Sequence, residues 1–337
     1  MGSLTASVTR EQWPLREPFA IARGVMTAID LLVVTVRDAQ GHQGWAEAAG
    51  VDYDGETIDG LLRQVTTVLP AIQAVAPDGL VTADTLAVLQ SVLPPGGARN
   101  ALDCALWDLR AKQSGIPAWQ TAGLPSLEPL TTVYTIGIGN EADTRRKAKA
   151  ARGYPVIKIK CNATHPLDMV RWVREEHPTA RLSVDANQSW SRDLLESLLP
   201  VLQALGVELV EQPVRRGDDA TLAGLVSPIP LAADESCVDR HSIEALAPYY
   251  QVMSMKLDKC GGLTEALAMA DAAASRGLGL MVGNMCGTSL GMAPAMLIGQ
   301  RCQMVDLDGP LLQVGDRAHP LRYEDGLVYP PTPELWG

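Results

Sequence analysis

Val156-Ile157-Lys158-Ile159-Lys160 is the stretch on which the fold turns. In an extended strand alternate residues share a face, which puts Lys158 and Lys160 together and Ile157 and Ile159 opposite them. Two solvated or salt-bridged lysines would be the plain explanation, but so apolar a run reads as a parallel strand covered on both sides. Four further runs end in the same manner: Leu182-Ser183-Val184-Asp185, Leu209-Val210-Glu211, Leu231-Ala232-Ala233-Asp234 and Val252-Met253-Ser254-Met255-Lys256. Positions 160, 185, 211, 234 and 256 are 25, 26, 23 and 22 residues apart, each interval about one βα unit.

The series extends to eight expected strands: Thr132–Ile136, Val156–Lys160, Leu182–Asp185, Leu209–Glu211, Leu231–Asp234, Val252–Lys256, Leu280–Val282 and Met304–Asp306. Helical patterns lie between them, over Glu141–Arg152, Pro166–His177, Arg192–Leu205 and Leu263–Arg276, the last closed by Gly277. No Gly-x-Gly-x-x-Gly follows a first strand, which argues against an open doubly wound sheet. The pattern predicts an α/β fold, a (β/α) TIM-type barrel whose ionisable strand ends converge on one mouth.

Upstream, residues 4–50 read as an antiparallel strand pair, because Leu31–Arg37 is rich in β-branched residues and Ala39-Gln40-Gly41 supplies a turn before Gly44–Glu47. A helix is predicted over Arg99–Ser114, where Leu102, Ala105, Leu106 and Leu109 recur at i, i+3, i+4 and i+7, with Gly115 and Pro117 as the stop. The expected organisation is an N-terminal α+β domain over residues 1–124 and a barrel over 125–317. With 337 residues the chain has room for both.

A balance of 28 Lys+Arg against 39 Asp+Glu gives a net charge of −11 with no long basic run, which argues against nucleic acid. No apolar stretch approaches the roughly 18 residues of a spanning helix, and Arg10, Glu11, Arg16 and Glu17 interrupt any leader-like pattern. The six cysteines form no Cys-x-x-Cys pair and read as free thiols. A cytoplasmic protein without membrane partners is expected, and a homo-oligomer is compatible with the composition.

Asp185, Glu211 and Asp234, from consecutive strands, make an all-oxygen donor set of charge −3 that suits Mg²⁺ or Mn²⁺ better than zinc. Any one of them alone would read as a helix cap, but three in register between lysines point to metal. Without a cation at least one should keep its proton. Lys160 and Lys256 flank the acids in strand order and so face each other around the ring. Such a pair suits inversion at a carbon α to a carboxylate: a neutral lysine removes the proton from one face, and an ammonium returns one to the other. The cation would stabilise the enediolate, and nearby positive charge is expected to lower the lysine pKa values.

Lys158-Ile159-Lys160, Asp185-Ala186-Asn187, Glu211-Gln212-Pro213, Asp234-Glu235-Ser236 and Lys256-Leu257-Asp258-Lys259-x-Gly261-Gly262 resemble the muconate-lactonizing subgroup of the enolase superfamily. The resemblance implies a capping domain over a modified barrel, with about residues 318–337 returning to the cap. It implies Asp185, Glu211 and Asp234 as Mg²⁺ ligands, Lys160 and Lys256 as the acid/base pair, and Lys158 as an electrostatic helper. Asp306-Leu307-Asp308-Gly309-Pro310 is similar to the Asp-x-Asp motif of dipeptide epimerases, where acids hold the substrate's ammonium. Ala22-Arg23-Gly24 and Gly97–Asp108 further resemble the L-Ala-D/L-Glu epimerases of murein-peptide recycling, with Arg23 facing the glutamate side chain; Thr135 joins the substrate-binding candidates. Asp306 and Asp308 could instead form a solvated turn, and Arg23 a surface charge. N-acylamino acid racemases and o-succinylbenzoate synthases carry similar lysines and ligands, and a catalytically silent binding barrel is the alternative of another class. The loop Gly283–Ser289 is expected to shape the pocket, and His165 to be solvated.

Overall fold

The computed structural model describes residues 4–337. In place of the expected strand pair, the N-terminal region forms a three-stranded antiparallel sheet of Thr5–Ile21, Gly24–Arg37 and Gln43–Ala48, paired in that order. The first strand runs through Pro14 and Pro18, which an edge strand tolerates, and its register shifts between Pro14 and Phe19. Prolines and scattered charges concealed its length in the sequence. Helices Ile58–Val75, Ala83–Val92 and Gly97–Ser114 accompany this sheet. The last packs so closely that a Cβ on Gly44 would lie 2.3 Å from the Ala105 carbonyl oxygen, so only glycine fits there.

Eight parallel strands follow: Tyr134–Ile136, Val156–Lys160, Arg181–Asp185, Val207–Glu211, Leu231–Ala233, Val252–Met255, Gly279–Val282 and Met304–Val305. Each pairs with its sequence neighbour, and the curled sheet meets itself where Val133 N–H donates to Val305 O (2.9 Å). The fifth, sixth and eighth strands stop one residue short of the predicted ends, so Asp234, Lys256 and Asp306 stand at the start of loops. Helices Glu141–Ala150, Asp168–Glu176, Arg192–Ala204 and Leu263–Ala274 are slightly shorter than the periodicity suggested.

Inside the barrel, Val133, Val156, Leu209, Ala232, Val252, Met281 and Met304 form an apolar plug. Two residues further along, most of the inward positions turn polar, among them Lys158, Glu211, Asp234 and Ser254, with Gly283, just after the seventh strand, the exception. The plug excludes water from below, which strengthens every electrostatic interaction above it.

The final residues lie against the N-terminal part of the molecule. Trp336 Nε1 donates to Cys104 O (3.0 Å), Gly337 N to Asp108 Oδ1 (2.7 Å), and Ala118 N to Gly337 O (3.1 Å). Among the described residues no helix is long and apolar enough to cross a membrane.

Candidate active site

Three successive strand ends bring Asp185, Glu211 and Asp234 together, fully buried, with one carboxylate oxygen from each within 4.8 Å of the others. Lysines surround them. Lys158 Nζ lies 2.6 Å from Glu211 Oε2, 2.7 Å from Asp306 Oδ2 and 3.3 Å from Asp185 Oδ2. Lys160 Nζ donates to Asp185 Oδ2 (2.6 Å) and Lys256 Nζ to Asp234 Oδ2 (2.7 Å), so the two flanking lysines approach the acid group from different sides.

Burial raises the pKa of all three acids, but their partners differ. Lys160 and Lys158 outweigh burial at Asp185 and bring it down to about 2, while Lys256 and Lys259 hold Asp234 well below the usual range. Glu211 is pushed up to about 7 by burial, with Asp185 and Asp234 adding to the shift against Lys158. It is therefore the member that retains a proton most readily. Three hard oxygen donors, buried and mutually repulsive, fit a divalent cation of the Mg²⁺ type. The expected lowering of the lysine pKa values is not met at Lys256 by the protein's own groups: burial opposes its charge, yet Asp234 raises the pKa well above the ordinary value.

Above the acids lies a cleft of about 450 Å³, with Lys160 and Lys256 in its wall. The loop after the seventh strand contributes Asn284, Met285 and Cys286, and the first hairpin contributes Phe19, Arg23 and Met26. The hairpin reaches this position through the Ile138 N–H, which donates to Ala20 O (2.7 Å). Arg23 is not a free surface charge: Nη1 donates to Glu235 Oε1 (2.5 Å), and the guanidinium lies 4.7 Å from the centre of the Tyr53 ring.

Asp306, Asp308 and Thr135 meet beside Lys158 on the other flank. Thr135 N–H donates to Asp308 Oδ2 (2.6 Å), and Asn284 Nδ2 to Asp306 Oδ1 (3.2 Å). Both acids are buried, not in a solvated turn. Burial and the adjacent Asp306 push the Asp308 carboxyl up to about 8, whereas Lys158 keeps Asp306 below its ordinary value despite burial. His165 stands apart with its side chain 72% exposed.

Sequence reasoning assigned no role to Tyr53 and Glu235, which meet Arg23, or to Lys259, which bonds Asp234. Tyr53 sits in a short turn with no motif around it; Lys259 was readable, since three residues after Lys256 on a helical turn returns the side chain to the same side.

Residues 3–123 match the mandelate racemase/muconate lactonizing enzyme N-terminal domain, and residues 141–334 the enolase C-terminal domain-like family. The N-acetyl-D-glutamate racemase of Pseudoalteromonas sp. is 38% identical over 91% of this chain and 95% of its own length. The L-Ala-D/L-Glu epimerase of Escherichia coli is 36% identical over 96% and 99%. Among solved structures, an enolase family member from Agrobacterium tumefaciens with homology to dipeptide epimerases, bound to sodium and L-Ala-L-Glu with an ordered loop, superposes with TM-score 0.93 at 41% identity, covering 99% of this chain and 100% of that one. A dipeptide epimerase from Methylococcus capsulatus complexed with Mg and L-Arg-D-Lys gives TM-score 0.88 at 31% identity over 98% and 97%. The chain belongs to the mandelate racemase/muconate lactonizing enzyme family of the enolase superfamily.

Proposed function

We propose that the chain is a Mg²⁺-dependent dipeptide epimerase that inverts the α-carbon of the C-terminal residue of L-Ala-D/L-Glu. The observation that carries this reading is the placement of Lys160 and Lys256 on different members of one buried acid group, at the wall of a cleft large enough for a dipeptide. Asp185, Glu211 and Asp234 would hold the cation, which supplies charge stabilisation to the substrate carboxylate as the α-proton leaves. Lys160 and Lys256 exchange that proton from opposite faces. Lys158 adds fixed positive charge beneath the carboxylate. Asp306 and Asp308, positioned by Lys158 and the Thr135 N–H, receive the free ammonium, and Arg23 receives the glutamate side chain.

With a cap over 1–124 and a barrel over 125–317, and the last residues returning to the cap, the barrel supplies the chemistry while the cap supplies Arg23. Six free cysteines are consistent with the reducing cytoplasm, where dipeptides released from murein would be the source of substrate.

A second reading, racemisation of an N-acylated glutamate, is favoured by one feature. Asp306 is already paired with Lys158, and Asp308 tends to keep its proton, which weakens the site for an ammonium. Incubation in D₂O separates the two. L-Ala-L-Glu should take up deuterium at the glutamate α-carbon, N-acetylglutamate should not, and chelator should stop the uptake until Mg²⁺ is restored. Asp306→Asn or Asp308→Asn should lower kcat/KM for the dipeptide by roughly 30-fold or more, since truncating one partner of a buried charge pair costs about 2–5 kcal/mol. Faster exchange of N-acetylglutamate, indifferent to both substitutions, would replace the first reading with the second.

A further inference from the structure

Lys259 reaches the same carboxylate as Lys256, but from beneath. Beyond the sixth strand, Leu257–Cys260 forms one helical turn in which Lys259 N–H bonds to Lys256 O (3.0 Å). The turn sends two lysines to one acid: Lys256 Nζ donates to Asp234 Oδ2 and Lys259 Nζ to Asp234 Oδ1, each at 2.7 Å. Their situations differ. Lys256 lines the cleft, and among the described residues its ammonium donates only to Asp234. Lys259 is 2% exposed, and its three N–H groups are taken up by Asp234 Oδ1, the Asp234 carbonyl and Ser254 O (3.0 Å).

We propose that Lys259 is the positioning residue of the acid triad: a fixed cation that orients Asp234 while Lys256 leaves that carboxylate to move a proton. The inference rests on reading the triad as a divalent-metal site. Each time Lys256 turned toward substrate, an unsupported Asp234 would be free to rotate in this water-poor interior. Lys259 prevents this, because its three hydrogen bonds need no rearrangement. Orientation and charge predict opposite signs. Removing a nearby cation would tighten divalent binding if only Coulomb repulsion mattered, whereas removing the group that aims a ligand weakens it, typically about 10–100-fold.

The test is Mn²⁺ titrated into the chelator-treated full chain, with free Mn²⁺ read by electron paramagnetic resonance. Lys259→Met should raise the dissociation constant about 10–100-fold. Lys259→Gln, which keeps two donors without the charge, should weaken binding at least about threefold, and it carries the test if circular dichroism shows that the Met variant does not fold. Lys256→Met should bind Mn²⁺ within about threefold of the unsubstituted protein, because Lys256 is not the residue that aims the ligand. Unchanged or tighter binding in a folded Lys259 variant, or an equal loss in Lys256→Met, overturns the positioning role. Asp185→Asn separates the two readings: its loss of binding beside unaffected Lys259 variants rejects the positioning role alone, while its undiminished binding rejects the metal site and this inference with it.

Discussion

Asp308 is the acid whose chemistry departs furthest from its place in the sequence. As the second acid of Asp306-Leu307-Asp308 it would be counted as a negative charge, yet burial and Asp306 push its carboxyl up to about 8. An aspartate that keeps its proton in the folded state but has an ordinary pKa of about 3.8 when unfolded favours folding most below that value. The advantage is lost as pH rises from about 4 toward about 8. Asparagine is close in shape to a protonated aspartate and does not titrate. Asp308→Asn should therefore gain stability relative to the parent between pH 5 and 8, read as a widening gap in urea midpoints. Parallel midpoint curves for the two proteins would show that Asp308 is ionised throughout.

At the scale of elements, the first hairpin joins the two halves of the site. Gly137, just after the first barrel strand, accepts it at close range: a Cβ there would lie 2.9 Å from Ala20 O and 3.1 Å from the Phe19 ring. Gly137→Val should push the hairpin off the barrel mouth and carry Arg23 with it. Overpacking of this kind costs about 1–3 kcal/mol, so KM for L-Ala-L-Glu should rise roughly tenfold with kcat less affected. Steady-state kinetics would check this, and an unchanged KM would mean that the hairpin seats without that contact. The barrel strands were legible in the sequence because local rules fix them: apolar runs bounded by helices, with an ionisable residue at the same place in each. Asp185, Glu211, Asp234, Lys160 and Lys256 were legible for the same reason. The long strand Thr5–Ile21 was not, since Pro14 and Pro18 break its pattern and only pairing with Gly24–Arg37 makes it extended. Tyr53 and Glu235 escaped as well, because what they do depends on Arg23 arriving from a distant segment.

For the whole molecule, the last ten residues form the seam that holds the cap in place over the barrel. Val328 pairs with Leu130 ahead of the first barrel strand, while Trp336, 1% exposed, lies against the Gly97–Ser114 helix with its indole N–H on Cys104 O. The same helix is tied to the catalytic side of the barrel by Arg99, whose guanidinium donates to Leu93 O (3.2 Å), Gly261 O (3.2 Å) and Cys260 O (2.6 Å). Cys260 and Gly261 directly follow Lys259, so cap position and lysine geometry share one set of contacts. Trp336→Ala removes the largest of the buried side chains at this seam and should cost about 3–5 kcal/mol, the usual range for a buried Trp-to-Ala change. The loss should fall on the cap first. Calorimetry of the parent should give one cooperative transition, because interlocked parts unfold together, and Trp336→Ala should split it into an early cap transition and a later barrel transition. Mg²⁺ should then raise only the later one, since the acids it would bind all stand at or just beyond the ends of barrel strands and a ligand stabilises only the unit that holds it. A single transition in the variant, shifted down as a whole and raised as a whole by Mg²⁺, would show that Arg99 and the hairpin suffice to couple the two parts without the C-terminal seam.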